Sequence, residues 1–280
     1  MTEGESSLDA RLVGLRPGDG ADRVRFTLVP HLCRPDGALY GGTALSAACA
    51  AMELVTGRPT LWASVQLVSS AQRGDEVDVH VEVVADGRRV NQVRVSATVD
   101  GSLLFAAVGS TATPKAGGIA GTGPRMPSVA PPDADAPMWG GRARWTHDGE
   151  TGHHRVAQFV EATPLEATVA ADTSGRVLMW SRLRDESTTT AAKLGFLADM
   201  VPVAICRAAG VMGAGTSLDN SLRIGRLVDS EWVLLELQGH VAADGYGYGD
   251  CRLWSPDGVL LGSGSQTAKL FSFDERFGGA

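Results

Sequence analysis

The chain has 280 residues, of which 44% are hydrophobic and 20% charged, so it can bury a sizeable core. Its net charge is −7, which argues against a nucleic-acid binder that would need a basic face. No run approaches 18 apolar residues, and the acidic start "MTEGESSLDARLVGLRPGDG" has no apolar stretch, so neither a membrane span nor a secretory signal is expected. The four cysteines, Cys33, Cys49, Cys206 and Cys251, form no CxxC and no Cys/His ligand spacing. Neither a disulfide frame nor a structural zinc is expected, and a cytoplasmic location follows by default.

In chain order, "DRVRFTLVP" (22–30) reads as a strand. "YGGTALSAACAAMELV" (40–55) is an Ala-rich segment, nearly apolar all round, and so a helix wrapped closely by a curved sheet. Alternating strands then run to about residue 112, with Asp100–Gly101 as a hairpin turn. The stretch "TPKAGGIAGTGPRMPSVAPPDADAP" (113–137) is rich in Pro, Gly, Ala and Ser and reads as a flexible to semi-rigid linker. Further strand-like sequence (154–183) has a turn at "DTSG". A second Ala-rich segment, "AAKLGFLADMVPVAICRAAGV" (191–211), follows, with Pro202 expected to bend or start the helix. The last strands include "EWVLLE" and a second hairpin turn at Asp257–Gly258.

The two halves therefore carry the same order of elements, an α+β module used twice. Glu76 and Glu231 open equivalent strands 155 residues apart (231 − 76), and the two Asp-Gly turns lie 157 apart (257 − 100). The expected division is 1–112, a linker 113–145, and 146–280.

Five stretches resemble motifs of the type II acyl-CoA thioesterases. "LYGGTALSAACAAM" is similar to the family's Phe-Gly-Gly helix start, and "VVADGRRVNQVRVSATVDGSLLF" to its Arg-Asp-Gly-Arg strand pair. "FLADM" resembles its Ala-Ser-Asp-Met/Leu helix motif, and "TSLDNSLRI" its Thr-Ile/Leu-Asp-His segment. "GYGYGDCRLWSPDGVLLGSGSQTAKL" resembles its final hairpin. The resemblance implies a double hotdog: two tandem antiparallel sheets, each wrapping one long Ala-rich helix. It implies an acyl-CoA substrate, no cofactor and no metal, and sheet edges left open for homo-oligomers.

The resemblance carries the catalytic set onto Asp199, Ser217 and Gln266, with Asp199 the base for a water held by the other two. At offsets of 155 to 157, their first-half counterparts are Ala44, Trp62 and Gly109, so chemistry would belong to the second half. An Asp among apolar neighbours has a partner or a task, though it also reads as a helix cap beside Pro202. Ser217 also reads as a turn residue and Gln266 as an exposed strand residue. Gly41 and Gly42, at a helix start, would offer backbone N–H groups to an oxyanion, or would serve only close packing. Asp219 and Asn220 read as orienters of the site or, preferably, turn residues. Asn220 stands where the family has His, and Thr267–Ala268 where it has Glu-Gly.

Two rivals remain. One is a double hotdog that binds an acyl ligand without chemistry. The other is a hydratase-like hotdog enzyme, which would use an Asp/His pair, but no His lies within ten residues of Asp199 or Ser217. The histidines His147, His153 and His154 show no metal spacing, and there is no GxSxG elbow or phosphate loop. Trp62, Trp139, Trp145 and Trp180 read as pocket wall or, preferably, as core or linker anchors.

Overall fold

The structure is a computed structural model that describes residues 12–34, 36–121, 123–132, 160–164, 175–183 and 188–273. The "DTSG" turn, the three histidines His147, His153 and His154, Trp139 and Trp145 lie at least partly outside these residues. Twelve strands form one continuous antiparallel sheet. In the first half they are β1 (Arg16–Gly18), β2 (Gly20–Thr27), β3 (Thr60–Leu67), β4 (Glu76–Asp86), β5 (Val90–Val99) and β6 (Ser102–Ala112). In the second they are β7 (Val160–Pro164), β8 (Arg176–Leu183), β9 (Gly213–Ile224), β10 (Trp232–Ala243), β11 (Tyr246–Trp254) and β12 (Leu260–Ser272).

The sheet order is β1-β2-β4-β5-β6-β3-β9-β12-β11-β10-β8-β7, so one half repeats the other about the β3–β9 seam. That seam runs from Trp62 opposite Arg223 to Gln66 opposite Asp219. The two sheets expected from the sequence are thus fused edge to edge, because a strand edge left open in each half is satisfied by the other. Even a bulge is repeated. Leu61 is the extra residue between Thr60 and Trp62, and Leu218 is the extra residue between Ser217 and Asp219.

Among the described residues, three α-helices pack on one face. Helix α1 (Gly41–Thr56) is the expected Ala-rich helix, buried from Gly41 through Met52 and ended by Gly57 in the left-handed region (φ 64°). The second Ala-rich segment is broken into α2 (Ala191–Ala198) and α3 (Val201–Ala208). Pro202 has no N–H to offer the Ala198 carbonyl, and at the second position of α3 it needs none. The break leaves Asp199 at the end of α2, with non-helical torsions (φ −77°, ψ 35°).

The hairpin at Asp100–Gly101 has positive φ at both residues, the signature of a primed turn. Asp244–Gly245 forms an equivalent turn between β10 and β11 that the sequence reading passed over. The apolar run of β10 is buried on both faces. Val233, Leu235 and Leu237 join the main core under the helices, while Trp232 and Leu234 join Trp180, Trp254 and Leu178 on the opposite face. Met126 and Val129 cover this second cluster, and Ala130 O accepts a hydrogen bond from Trp180 Nε1 at 2.7 Å. The Pro-rich segment is therefore packed against the second half at Met126, Val129 and Ala130. Trp180 is a core anchor, and Trp62 lies beside Arg223 rather than at the candidate site. No helix among the described residues is long and apolar enough to cross a membrane.

Helix α3 is pressed onto β10 at Gly239, where a β-carbon would lie 2.6 Å from Ala204 O and 2.7 Å from Ile205 Cα. Both are backbone atoms, so the helix itself would have to move. Gly239→Ala is expected to cost roughly 1–3 kcal/mol, the usual range for overpacking, read as a lower denaturant midpoint at unchanged slope.

Candidate active site

Asp199 is 7% exposed and enters the site from the α2–α3 break. Strand β9 brings Ser217 and Asn220 to it, and β12 brings Gln266, which lies directly opposite Asn220. The bulge at Leu218 lets Ser217 and Asn220, three positions apart, face the same carboxylate, which strict alternation would forbid.

The carboxylate accepts four hydrogen bonds. Oδ1 takes Ser217 Oγ at 2.9 Å, Asn220 Nδ2 at 3.2 Å, and Gln266 Nε2. Oδ2 takes the Gly42 N–H at 2.8 Å, across the two halves of the chain. Gln266 Nε2 also donates to Ser217 Oγ at 2.6 Å. Gln266 Oε1 is buried and has no partner among the described residues. The structure thus brings Asp199, Ser217 and Gln266 into one network. Burial pushes the Asp199 carboxyl up to about 6, against the opposing pull of Ser217, Gly42, Gln266 and the Arg34 charge.

The glycines divide their parts. The Gly42 N–H is engaged by Asp199 and is not free for an oxyanion, because at the start of α1 it has no helical acceptor and the buried carboxylate claims it. The Gly41 N–H has no partner among the described residues. A β-carbon on Gly41 would lie 2.7 Å from Asp199 Oδ2 and 2.8 Å from Ser217 Oγ, so only glycine lets the chain pass here. On Gly42 it would meet Phe196 O and Tyr40 Cε1, both at 2.5 Å. Tyr40 packs edge-on against Phe196, with centroids 5.0 Å apart, and its hydroxyl donates to Phe196 O at 3.2 Å. Burial, then the Asp199 charge, drives the Tyr40 phenol well above its ordinary range.

Asn220 reads in the sequence as an orienter of the site or, preferably, as a turn residue. It is 1% exposed and donates to the site carboxylate. The available signal was its place opposite Gln266 once a bulge is allowed. Asp219, by contrast, accepts the Thr267 N–H at 2.8 Å on the other side of the strand and serves the bulge.

The first-half counterparts also need correcting. The helices start 150 residues apart (191 − 41), so Asp199 corresponds to Cys49 rather than Ala44. The bulges at Leu61 and Leu218 lie 157 apart (218 − 61), so Ser217 corresponds to Thr60 rather than Trp62. Gln266 still corresponds to Gly109. The first half retains a buried hydroxyl, Thr60 Oγ1, without a partner among the described residues, and carries neither a carboxylate nor an amide at the corresponding positions, Cys49 and Gly109. Among the described residues no three His, Cys, Asp or Glu side chains converge as metal ligands would.

Comparison with known proteins places this geometry in context. Residues 30–113 match the family model of the acyl-CoA thioesterase N-terminal domain, and residues 126–270 that of the C-terminal domain. A crystal structure from Novosphingobium aromaticivorans, assigned provisionally as a thioesterase, is 32% identical, with 91% of this chain and 97% of that one covered and a TM-score of 0.79. A conserved protein with hot dog fold from Alicyclobacillus acidocaldarius is 15% identical, covering 94% and 98%, with a TM-score of 0.75. An acyl-CoA thioesterase II from Mycobacterium marinum, TesB2, is 17% identical, covering 94% and 98%, with a TM-score of 0.69. The search of curated proteins found no match. The fold is the hotdog fold, and the chain belongs to the acyl-CoA thioesterase family.

Proposed function

We propose that the protein hydrolyses an acyl-CoA thioester to the free acid and CoA, using a water held by Asp199, Ser217 and Gln266. The observation that carries this reading is a buried carboxylate at about 6, gathered with a hydroxyl and an amide that share hydrogen bonds. A base with that affinity is ionised at neutral pH yet takes a proton readily. The unpartnered Gln266 Oε1 suits the second hydrogen of such a water.

In the reaction, the water oxygen bonds to the thioester carbon while Asp199 takes one of its protons. The tetrahedral oxyanion accepts from the free Gly41 N–H at the start of α1. Collapse breaks the carbon–sulfur bond, and the departing thiolate takes the proton from Asp199. Atoms and charge balance without a metal or redox cofactor. The architecture we propose is a double hotdog of residues 1–112 and 146–280 joined by 113–145, with the chemistry in the second unit. The first unit contributes the Gly41–Gly42 corner.

One observation favours a second reading, ligand binding without chemistry. Four donors occupy the lone pairs of Asp199, an arrangement that also suits a purely structural anchor. For a water to reach the carboxylate one donor must yield, and Asn220 at 3.2 Å makes the longest of the four bonds.

Thiol release from short, long, branched and aromatic acyl-CoAs separates the two readings. Asp199→Ala is expected to lower turnover about 10²–10⁴-fold, as for loss of a general base. Release by the variant at the wild-type rate would leave Asp199 a structural role only. In wild type the base works only when unprotonated, so kcat/KM is expected to be full above about pH 6 and to fall as pH drops through that value. Gly41→Ala, whose β-carbon would enter the space between Asp199 and Ser217, is expected to reduce turnover at least ~10-fold and to lower the melting temperature, because the buried carboxylate it displaces is held by four donors.

A further inference from the structure

We propose that Arg34 is a positioning residue for this reaction: from the first half of the chain it tethers the strand segment carrying Ser217 and supplies the positive charge that keeps Asp199 available as a base. This rests on the reading of Asp199 as general base.

The segment Gly213–Ser217 of β9 pairs with β12 on one side, but β3 meets β9 only over Asp219–Arg223. Among the described residues, Ser217 therefore sits on a stretch with no strand partner on its β3 side, next to a bulge. Arg34 Nη1 donates to Thr216 Oγ1 at 3.3 Å, the side chain immediately before Ser217. The guanidinium is itself held. Asp36 accepts from Nη2 at 2.6 Å and from Nε at 3.2 Å, the planar fork that suits a carboxylate. Its backbone is locked by a tight turn, with Arg34 N–H donating to Ala38 O at 2.7 Å and Gly37 N–H to Arg34 O at 3.0 Å. Two residues beyond Ala38 comes Tyr40, the cap of α1, then Gly41 and Gly42. One side chain thus joins the corner that holds Asp199 Oδ2 to the strand that holds Oδ1.

The charge matters because of what else faces the carboxylate. Tyr40 at the cap of α1 is a neutral phenol, and Cys251 on β11 is a thiol pushed up to about 12 by burial. Ser217 and Asn220 on β9 and Gln266 on β12 carry no charge. Arg34 is the cation whose field lowers the proton affinity of Asp199, with Asp36 as its fixed counter-ion.

The test compares kcat/KM against pH for wild type, Arg34→Lys, Arg34→Met and Arg34→Met/Asp36→Asn, on an acyl-CoA that wild type hydrolyses. Arg34→Met is expected to move the acid limb up by roughly half a unit or more. It should lower kcat several-fold with a smaller change in KM. The double variant, which leaves no stray Asp36 charge, should still show a raised limb. Arg34→Lys should return the limb close to wild type. A limb unmoved in a folded Arg34→Met would overturn the proposal, and so would equal shifts in the Met and Lys variants. Should Arg34→Met not fold, Arg34→Gln carries the same expectation, since it keeps a donor for Thr216 without the charge. If instead an acid limb of wild type persists unchanged in the residual activity of Asp199→Ala, the base reading itself fails, whatever Arg34 does.

Discussion

Four donors around one buried carboxylate are the constraint on which the rest of this structure depends. Taking Asp199 out of water is costly unless its oxygens are satisfied. They are satisfied from three directions: the start of α1, the bulged part of β9 and the inner face of β12. Each direction imposes a local demand. The start of α1 must be glycine so that a main-chain N–H can reach the carboxylate without a β-carbon in the way. Strand β9 must gain a residue at Leu218 so that Ser217 and Asn220 point inward together. The second Ala-rich helix must break after Ala198 so that Asp199 leaves the helical path, and Pro202 ensures that it does.

The same constraint explains why the two halves, alike in topology, differ in chemistry. Position by position, Cys49 stands for Asp199, Ala63 for Asn220, Thr60 for Ser217 and Gly109 for Gln266. Helix α1 runs unbroken through Cys49, so no side chain is delivered there with the freedom that Asp199 has. A β-carbon at Gly109 would lie 2.9 Å from Met52 Sδ, so sulfur and methyl fill the space that an amide occupies in the other half. The pseudo-twofold seam therefore holds one polar site and one packed core. The packed half supplies the rigid corner on which the polar half closes.

Much of this was legible in the sequence because it follows from local rules. Period-2 alternation, Asp-Gly turns and an all-round apolar Ala-rich stretch report the strands, the first helix and the duplication. The break at Pro202 follows from a missing N–H. What escaped was what depends on a one-residue shift. Bulges invert the facing of everything beyond them, so Asn220 read as a turn and Ser217 was matched with Trp62 instead of Thr60. Asp244–Gly245 is as good a turn signal as Asp100–Gly101, and its place between β10 and β11 was overlooked beside the glycine run that follows it. Met126 and Val129 show what composition does not report about a Pro-rich segment read as a flexible to semi-rigid linker. Two apolar side chains in a polar stretch suffice to pin it to the tryptophan cluster.

The proton affinity of the carboxylate results from two opposed pressures that the fold sets separately. Burial raises it, and hydrogen bonds from Ser217, Gly42 and Gln266 together with the Arg34 charge lower it. Without the donors, burial would push the acid's proton affinity higher still. With the same donors and full hydration it would hold its proton too weakly to draw one from water. The balance near 6 is therefore a property of the junction between the halves. The apolar wall is built by helix packing, and the donors arrive on the chain segments that the β3–β9 seam brings together. A change at that seam, however far from the reacting atoms, would alter both pressures at once. This is the physical reason to expect the two units of this chain to act as one.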